Sequence, residues 1–320
     1  MSYAFLCLGF LLLLIGSEAV LRGGVGLFRA LGLPSFFVAV LIGAFAMSAP
    51  ELSVAMQASV RSMPDIALGD IAGSSIANIL LVFGLGALLH PMPAPPRTVF
   101  RDSFSLIVAS FAFVFVALNG YIAQAVGGCL LAGWFGYLVL AYVTDWGRPA
   151  HLLPSDVQTN GGREYGGALS IFLVAVGVVC LFFGARLAID FALLIARNFQ
   201  VPQTAVALTL VAFGTSLPEL VAILRGAGRN GTNGMSGKII ASSIFNILFV
   251  LGISALLRPM SVSPMLGGFD VPILAVCAVL LSVLMLFGWR LTRFQGALLL
   301  AGYVFYIASV GLRSGIHLHG

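Results

Sequence analysis

Most of this sequence consists of apolar stretches, each about 20 residues long and separated by short polar segments. A stretch of that length spans the hydrocarbon core of a bilayer as an α-helix. Of the 320 residues, 60% are hydrophobic and 8% are charged, which is more apolar surface than a soluble domain can bury. The sequence therefore predicts an all-α polytopic membrane protein surrounded by membrane lipid.

Apolar windows of this length predict ten transmembrane helices, at residues 3–22, 34–60, 66–89, 100–118, 120–143, 167–196, 201–226, 237–257, 269–288 and 294–313. The longest polar stretch, 145–166, is rich in Pro, Gly and charged residues. We expect it to be a cytoplasmic linker between two five-helix repeats, 1–144 and 167–320.

The distribution of Lys and Arg predicts the orientation of the chain. With the N-terminus outside, the cytoplasmic loops hold eleven of the 16 basic residues and the outer loops hold five, which favours both termini outside. Because these residues are scattered in ones and twos, they do not form a nucleic-acid surface. We expect a prokaryotic inner (plasma) membrane protein that has no obligate protein partner, no cofactor and no enzymatic activity.

The two halves contain an internal sequence repeat. A shift of 168 residues places FAMSAPEL (45–52) over FGTSLPEL (213–220), and GDIAGSSIANILLVFG (69–84) over GKIIASSIFNILFVLG (237–252). Residues 43–92 and 211–260 share 22 identities in 50 positions without a gap. The second copy begins five spans after the first. Because five is an odd number, the two copies are predicted to cross the membrane in opposite directions. Such inverted repeats are typical of secondary transporters, whose sites lie where the repeats meet.

Each repeat places a proline and a glutamate inside an apolar span. Pro50 and Pro218 cannot donate a backbone hydrogen bond, so each frees a carbonyl one turn earlier. Backbone groups left unpaired at membrane depth are tolerated only where they are buried in protein or line a wet cavity. Glu51 and Glu219 follow the prolines directly, and intramembrane carboxylates mark functional sites by default.

Neutral oxygen donors accompany the two glutamates. Hydroxyl groups lie on the broken spans, and the next helix of each repeat carries Ser and Asn side chains. Because Ser and Asn on that helix are spaced i, i+4, they share one face and are predicted to face the same region as the hydroxyls. These donors belong to Ser48, Thr215, Ser216, Ser74, Ser75, Asn78, Ser242, Ser243 and Asn246. Oxygen ligands of this kind suit Ca²⁺ or Na⁺. Two carboxylates neutralise one divalent ion, whereas a monovalent competitor needs more than one ion, which is the charge balance of exchange.

Other charged positions are interpreted as structural. Glu18 and Arg22 align with Arg186 and Asp190, so each repeat carries an i, i+4 opposite-charge pair, expected at a helix end near the interface. A gate is the alternative interpretation. Asp70 aligns with Lys238, and this asymmetry predicts helix-start residues near the interfaces and not ligands.

The paired motifs resemble those of the calcium:cation antiporter family, which includes the sodium/calcium exchangers and their prokaryotic relatives. Its repeats carry a G-T-S-x-P-E motif followed by a G-x-x-x-G-S-N-I-x-N motif, seen here as AFAMSAPEL with GDIAGSSIAN and as AFGTSLPEL with GKIIASSIFN. The resemblance implies alternating access, in which the first and sixth helices slide across the other eight.

The resemblance also implies roles for individual residues. Glu51 and Glu219 would bind Ca²⁺ centrally with the carbonyls of Met47 and Thr215, and Asn78 and Asn246 would close the site. Flanking Na⁺ sites would involve Ala44, Ser48, Ser74, Ala212, Thr215, Ser216, Ser242 and Ser243.

Three positions depart from the family pattern. Met47 stands where the motif has Thr, so one hydroxyl is missing. Position 246 is Asn where some relatives have Asp, and in the family Asn is associated with potassium-independent transport. Ser75 and Ser243 replace Asn.

The favoured function is Na⁺/Ca²⁺ exchange. A Ca²⁺/H⁺ exchanger in which the glutamates carry protons is the nearest alternative, and a passive cation channel is the second. An intramembrane hydrolase ranks last, because the sequence has no GxGD, HExxH or GxSxG motif.

Overall fold

The computed structural model describes residues 1–31, 43–96, 99–145, 166–227 and 235–315. The described chain forms twelve helices: α1 (Ser2–Ala30), α2 (Gly43–Met47), α3 (Ala49–Val60), α4 (Pro64–Leu89), α5 (Val99–Leu118), α6 (Gln124–Asp145), α7 (Gly167–Asn198), α8 (Gln203–Thr215), α9 (Leu217–Ala227), α10 (Met235–Leu257), α11 (Leu266–Leu286) and α12 (Arg293–Arg313). The predicted linker, 145–166, lies almost wholly outside the described residues.

Eight of the described helices are long and apolar enough to cross a membrane, or nine if the bent pair α8 and α9 counts as one span. The predicted span 34–60 begins outside the described residues and continues as α2 and α3. Ten spans in opposite-facing repeats therefore stay a prediction.

The largest differences from the predicted bounds are at the ends of two helices. The span predicted to end at 22 continues as a helix to Ala30, and the span predicted from 120 begins at Gln124, because Tyr121–Ile122 is extended. Four short strands occur, which the all-α prediction did not include: β1 (Met92–Pro93), β2 (Tyr121–Ile122), β3 (Met260–Ser261) and β4 (Arg290–Leu291). β1 pairs with β4 and β2 with β3, both antiparallel, so each pair joins the two halves of the chain.

Helices α4 and α10 form the centre of the molecule. In their most apolar windows 83% of the residues are buried, compared with 22–28% in α1, α6, α7 and α12. The outer helices instead expose large apolar side chains such as Phe172, Phe135 and Phe305. This pattern, apolar outside and polar at the centre, is expected when lipid is the solvent.

Glycines allow the closest helix contacts. Gly16 of α1 and Gly177 of α7 pack backbone against backbone, and a Cβ added at either would lie 2.8–2.9 Å from the carbonyl oxygen of the other. Gly73 of α4 meets α8 in the same way, with the Leu208 carbonyl oxygen 2.6 Å from an added Cβ. Small residues drive such association in membranes by permitting close approach. α4 is thereby held directly against α8.

Candidate ion-binding site

Two helix breaks lie at the centre of the protein. Ser48 separates α2 from α3, and Ser216 separates α8 from α9, whose axes differ by 41°. Pro50 and Pro218 occupy the second positions of α3 and α9, where a missing N–H costs no intrahelical bond. The prolines therefore begin new helices within the span, as the sequence predicts.

The glutamates follow each break. Glu51 and Glu219 are the third residues of α3 and α9, so their carboxylates lie in the first helical turn. The partial positive charge at a helix N-terminus favours an anion there, typically by less than about 1 kcal/mol. Both residues are 0% exposed. The helix ends stabilise the carboxylates only in part, because burying an unpaired charge costs several times more.

The neutral donors lie on α4 and α10. Ser74, Ser75 and Asn78, and their counterparts Ser242, Ser243 and Asn246, are at most 1% exposed. Asn78 and Asn246 each begin a π-helical turn, at Asn78–Val82 and Asn246–Val250. Such turns add a residue to the helical repeat and occur often at functional sites.

Hydrogen bonds join predicted site residues from the two halves. Ser242 Oγ donates to Glu219 Oε1 at 2.8 Å, and the Ser48 and Ser242 hydroxyls are 2.6 Å apart. Because Ser242 has one proton and donates it to Glu219, Ser48 must be the donor to Ser242. Asn246 Nδ2 donates to Ser74 Oγ at 3.3 Å. These contacts connect Ser48, Ser242 and Glu219 in one group and Asn246 and Ser74 in a second, and each group contains residues of both halves.

Other predicted residues lie nearby with different contacts. Ser75 and Ser243 donate to carbonyls of their own helices, at Ile71 (2.8 Å) and Ile239 (3.3 Å), so their protons are already used. The Ala212 carbonyl accepts from the Ser216 amide, and Met47 is the 8% exposed last residue of α2. Ala44 lies in α2, but its side chain is outside the described residues.

Unpaired polar atoms concentrate at this site. Of twelve buried side-chain N and O atoms without a hydrogen-bond partner in the described residues, eight belong to this region: both Glu51 oxygens, Glu219 Oε2, Asp70 Oδ2, Ser216 Oγ, Asn246 Oδ1 and both Asn78 amide atoms. Buried polar groups in proteins are normally satisfied. Seven of the eight are oxygens, which are the ligands of hard cations.

Asp70 was wrongly predicted to be an interfacial helix-start residue. It is 0% exposed, and its Oδ1 accepts a hydrogen bond from Thr215 Oγ1 at 2.9 Å. The comparison with Lys238 concealed this, because Lys238 is partly exposed whereas Asp70 faces α8 across the Gly69 and Gly73 contact. The signal available in the sequence was the position of Asp70, one helical turn before Ser74.

The predicted i, i+4 ion pairs form, but inside longer helices. Glu18 contacts Arg22 at 2.6 Å within α1, and Asp190 contacts Arg186 at 3.8 Å within α7. α1 continues to Ala30 and α7 to Asn198, so neither pair ends its helix. Each acid also contacts an arginine outside its own helix. Arg225 of α9 lies 3.6 Å from Glu18, and Arg61, which follows the end of α3, lies 2.6 Å from Asp190.

Comparisons with known proteins agree with this architecture. The family model described as "Sodium/calcium exchanger protein" matches residues 1–143 and 169–311. Sodium/calcium exchanger MaX1 of Methanosarcina acetivorans is 26% identical over 96% of this chain and 97% of its own, and inner membrane protein YrbG of Escherichia coli is 28% identical over 96% of each.

A solved structure shares the fold over nearly the whole chain. The sodium-calcium exchanger NCX_Mj, soaked with Na⁺ and Ca²⁺, superposes with a TM-score of 0.66 and 28% sequence identity, covering 96% of this chain and 98% of that one. With the helical fold and its exposed apolar side chains, these matches identify an integral membrane protein. The chain belongs to the sodium/calcium exchanger family, and it is a membrane cation antiporter and not an enzyme.

Proposed function

We propose that this antiporter exchanges Ca²⁺ for Na⁺ at a site between the two halves, centred on Glu51 and Glu219. One observation carries the proposal: two fully buried carboxylates, each just after a helix break, have no salt-bridge partner in the described part of the chain. A carboxylate at bilayer depth without a fixed positive partner is costly. A transported cation supplies the missing charge.

The donor set supports Ca²⁺ as one substrate. Ca²⁺ takes six to eight oxygen ligands at roughly 2.3–2.6 Å, and two carboxylates neutralise its charge. Glu51 and Glu219 provide the charge, and Asn78 and Asn246 provide amide oxygens that have no hydrogen-bond donor within the described residues. The carbonyls of Met47 and Thr215 end α2 and α8, where the last turn of a helix leaves carbonyls unpaired.

Na⁺ competes for the same oxygens in this proposal. The hydroxyl and carbonyl donors proposed for Na⁺ flank the glutamates: Ala44, Ser48, Ser74, Ala212, Thr215, Ser216, Ser242 and Ser243. Because each Na⁺ carries half the charge of Ca²⁺, at least two are needed to satisfy the carboxylates that one Ca²⁺ satisfies. Ca²⁺ and Na⁺ therefore exclude each other, which couples their movements.

Alternating access completes the proposal. α1 and α7 pack closely on each other through Gly16 and Gly177, and much of their surface faces outward. We propose that they move together across the other helices of two inverted five-helix repeats, 1–144 and 167–320, joined by the cytoplasmic linker 145–166. Both termini would lie outside a prokaryotic inner membrane, as the basic residues indicate, and YrbG is an inner membrane protein.

Transport in reconstituted vesicles tests the function. Vesicles loaded with Na⁺ and diluted into Na⁺-free buffer with labelled Ca²⁺ should accumulate Ca²⁺, and vesicles loaded with choline should not. Uptake driven by an outward proton gradient alone would favour the Ca²⁺/H⁺ alternative. Uptake indifferent to every internal cation would indicate a channel and contradict the antiporter.

Matched variants test the site. Glu51→Gln and Glu219→Gln should each abolish Na⁺-driven uptake, because they remove one of the two charges that Ca²⁺ requires. Glu18→Gln is the control, since Glu18 is 36% exposed and bound to arginines. Wild-type uptake in either core variant would contradict the assigned site.

A further inference from the structure

A third buried carboxylate lies beside the proposed Ca²⁺ site. Asp70 is in α4, one turn before Ser74, and is 0% exposed. No salt bridge to Asp70 occurs among the described residues, and its Oδ2 has no hydrogen-bond partner there. Asp70 therefore lacks a fixed positive partner, as the two glutamates do.

The one hydrogen bond of Asp70 leads to the second helix break. Thr215, the last residue of α8, donates to Asp70 Oδ1 at 2.9 Å, and its hydroxyl also lies 3.2 Å from the carbonyls of Val211 and Ala212. A hydroxyl has one proton, so it donates to one of these three acceptors at a time. When it donates to its own helix, its lone pairs and Asp70 are both available to a cation.

The distance between these two oxygens suits a shared cation. Atoms 2.9 Å apart can both contact an ion bound at roughly 2.4 Å. The Gly69 and Gly73 contacts hold α4 against α8, so the Asp70 and Thr215 side chains have little freedom to separate. The geometry is therefore fixed by the backbone.

Asp70 does not share one ion with both glutamates. No three Asp, Glu, His or Cys side chains of the described chain converge on a single metal position, so the three carboxylates do not surround one ion. A third unpaired carboxylate that lies outside the central position calls for a cation of its own.

We propose that Asp70 and Thr215 form a separate site for a monovalent cation, Na⁺ in this protein, between α4 and the end of α8. One carboxylate and neutral oxygens balance one monovalent charge. This inference rests on the proposed Na⁺/Ca²⁺ exchange and adds to it a charged Na⁺ ligand, Asp70, which the motif-based ligand set lacks although that set includes Thr215.

Only one of the two repeats can form this site. The positions equivalent to Asp70 and Thr215 are Lys238 and Met47, and α10 packs against α2 as α4 packs against α8. An ammonium group repels a second cation, and a thioether is a poor ligand for a hard one. Only the Asp70 side of the repeat therefore gains the extra Na⁺.

Equilibrium binding to the purified full chain tests the site. We would measure ²²Na⁺ and ⁴⁵Ca²⁺ binding for wild type, Asp70→Asn and the matched control Asp65→Asn, which changes a partly exposed acid in the first turn of α4. Asp70→Asn should lower the Na⁺ bound per chain by about one, or weaken it at least about tenfold, because it removes a charged ligand. Ca²⁺ binding should stay within about threefold of wild type, since the central carboxylates remain.

A second pair of variants covers the case in which Asp70→Asn does not fold. Thr215→Val should weaken the same Na⁺ and Thr215→Ser should retain it, because only Ser keeps the hydroxyl. Wild-type Na⁺ binding in Asp70→Asn, or in Thr215→Val if Asp70→Asn aggregates, would overturn the proposal. Failure of the proposed exchange is a separate result: the wild-type chain would then show no Na⁺-driven Ca²⁺ uptake, whatever Asp70 binds.

Discussion

Two groups of buried carboxylates in this protein differ in what neutralises them. Asp102 and Asp270, near the starts of α5 and α11, are at most 1% exposed, and each bonds an arginine and a tyrosine: Arg101 at 2.6 Å and Tyr137 at 3.1 Å, and Arg313 at 2.9 Å and Tyr306 at 3.3 Å. Glu51, Glu219 and Asp70 are equally buried but have no basic partner in the described chain.

This difference separates structural acids from candidate transport acids. Burial alone does not make an ion site, because a fixed guanidinium already satisfies Asp102 and Asp270. A carboxylate buried without such a partner must obtain its positive charge from elsewhere. An exchanger requires that arrangement, since a charge that the protein itself neutralised would have no need of a transported ion.

Removing an unpaired acid should have the largest effect on transport. Glu219→Gln should lower Na⁺-driven Ca²⁺ uptake roughly 100-fold or more, because a charged ligand in a desolvated site is worth about 2 to 5 kcal/mol. Its thermal unfolding temperature without Ca²⁺ should equal or exceed that of wild type, since an uncompensated buried charge is gone. A destabilised variant with normal uptake per folded molecule would place Glu219 in the structural group.

Removing a paired acid should have the opposite result. Asp270→Asn leaves the Arg313 guanidinium without its carboxylate and should destabilise the protein by roughly 2 to 4 kcal/mol. Ca²⁺ uptake per folded molecule should stay near wild type. Unfolding in detergent measures the change in stability, and uptake normalised to folded protein measures the change in transport. A large loss of normalised uptake would place Asp270 among the transport acids.

An additional unpaired acid in the centre should change which ions the protein transports. Asn246→Asp places another carboxylate in the centre, next to Ser74, where no described side chain supplies a positive charge. Uptake should then depend on an additional monovalent cation, tested by adding K⁺ to both sides of the vesicle. Asp102→Asn, in a paired site, should leave the ion preference unchanged, and an equal change in both variants would contradict the assignment.

The smallest effect is expected at the exposed ion pairs. Glu18→Gln weakens contacts with Arg22 and Arg225, but Glu18 is 36% exposed and such pairs are worth at most about 1 kcal/mol. Uptake should stay within about twofold of wild type. A larger change in the maximal rate, with Ca²⁺ affinity unchanged, would indicate that the Arg225 contact takes part in gating.

The helices and their breaks could be predicted because local sequence determines them. Apolar length placed α7 and α12 within two residues of their observed ends, and Pro50 and Pro218 placed the breaks within two residues of Ser48 and Ser216. The repeat then brought the same residue types to equivalent positions in both halves. The membrane fold and family membership are confirmed; the opposite orientation of the repeats and the ligand roles remain predictions.

Contacts between distant residues could not be predicted in this way. The Arg313 partner of Asp270 is 43 residues away along the chain, so the sequence did not reveal which buried acids are paired. The four short strands depend on pairing between the two halves of the chain. A strand of two residues has no sequence pattern that predicts it. Asp70 was misplaced because its equivalent, Lys238, suggested an interface, whereas the glycine contact with α8 buries it.

Equilibrium ⁴⁵Ca²⁺ binding to the purified chain measures directly whether the unpaired carboxylates hold the ion. Wild type in choline buffer should bind about one Ca²⁺ per chain through its two central carboxylates. Na⁺ should displace this Ca²⁺, Glu51→Gln and Glu219→Gln should abolish its binding, and Asp270→Asn should preserve it. Undiminished Ca²⁺ binding in both glutamine variants would show that the unpaired carboxylates do not hold the ion.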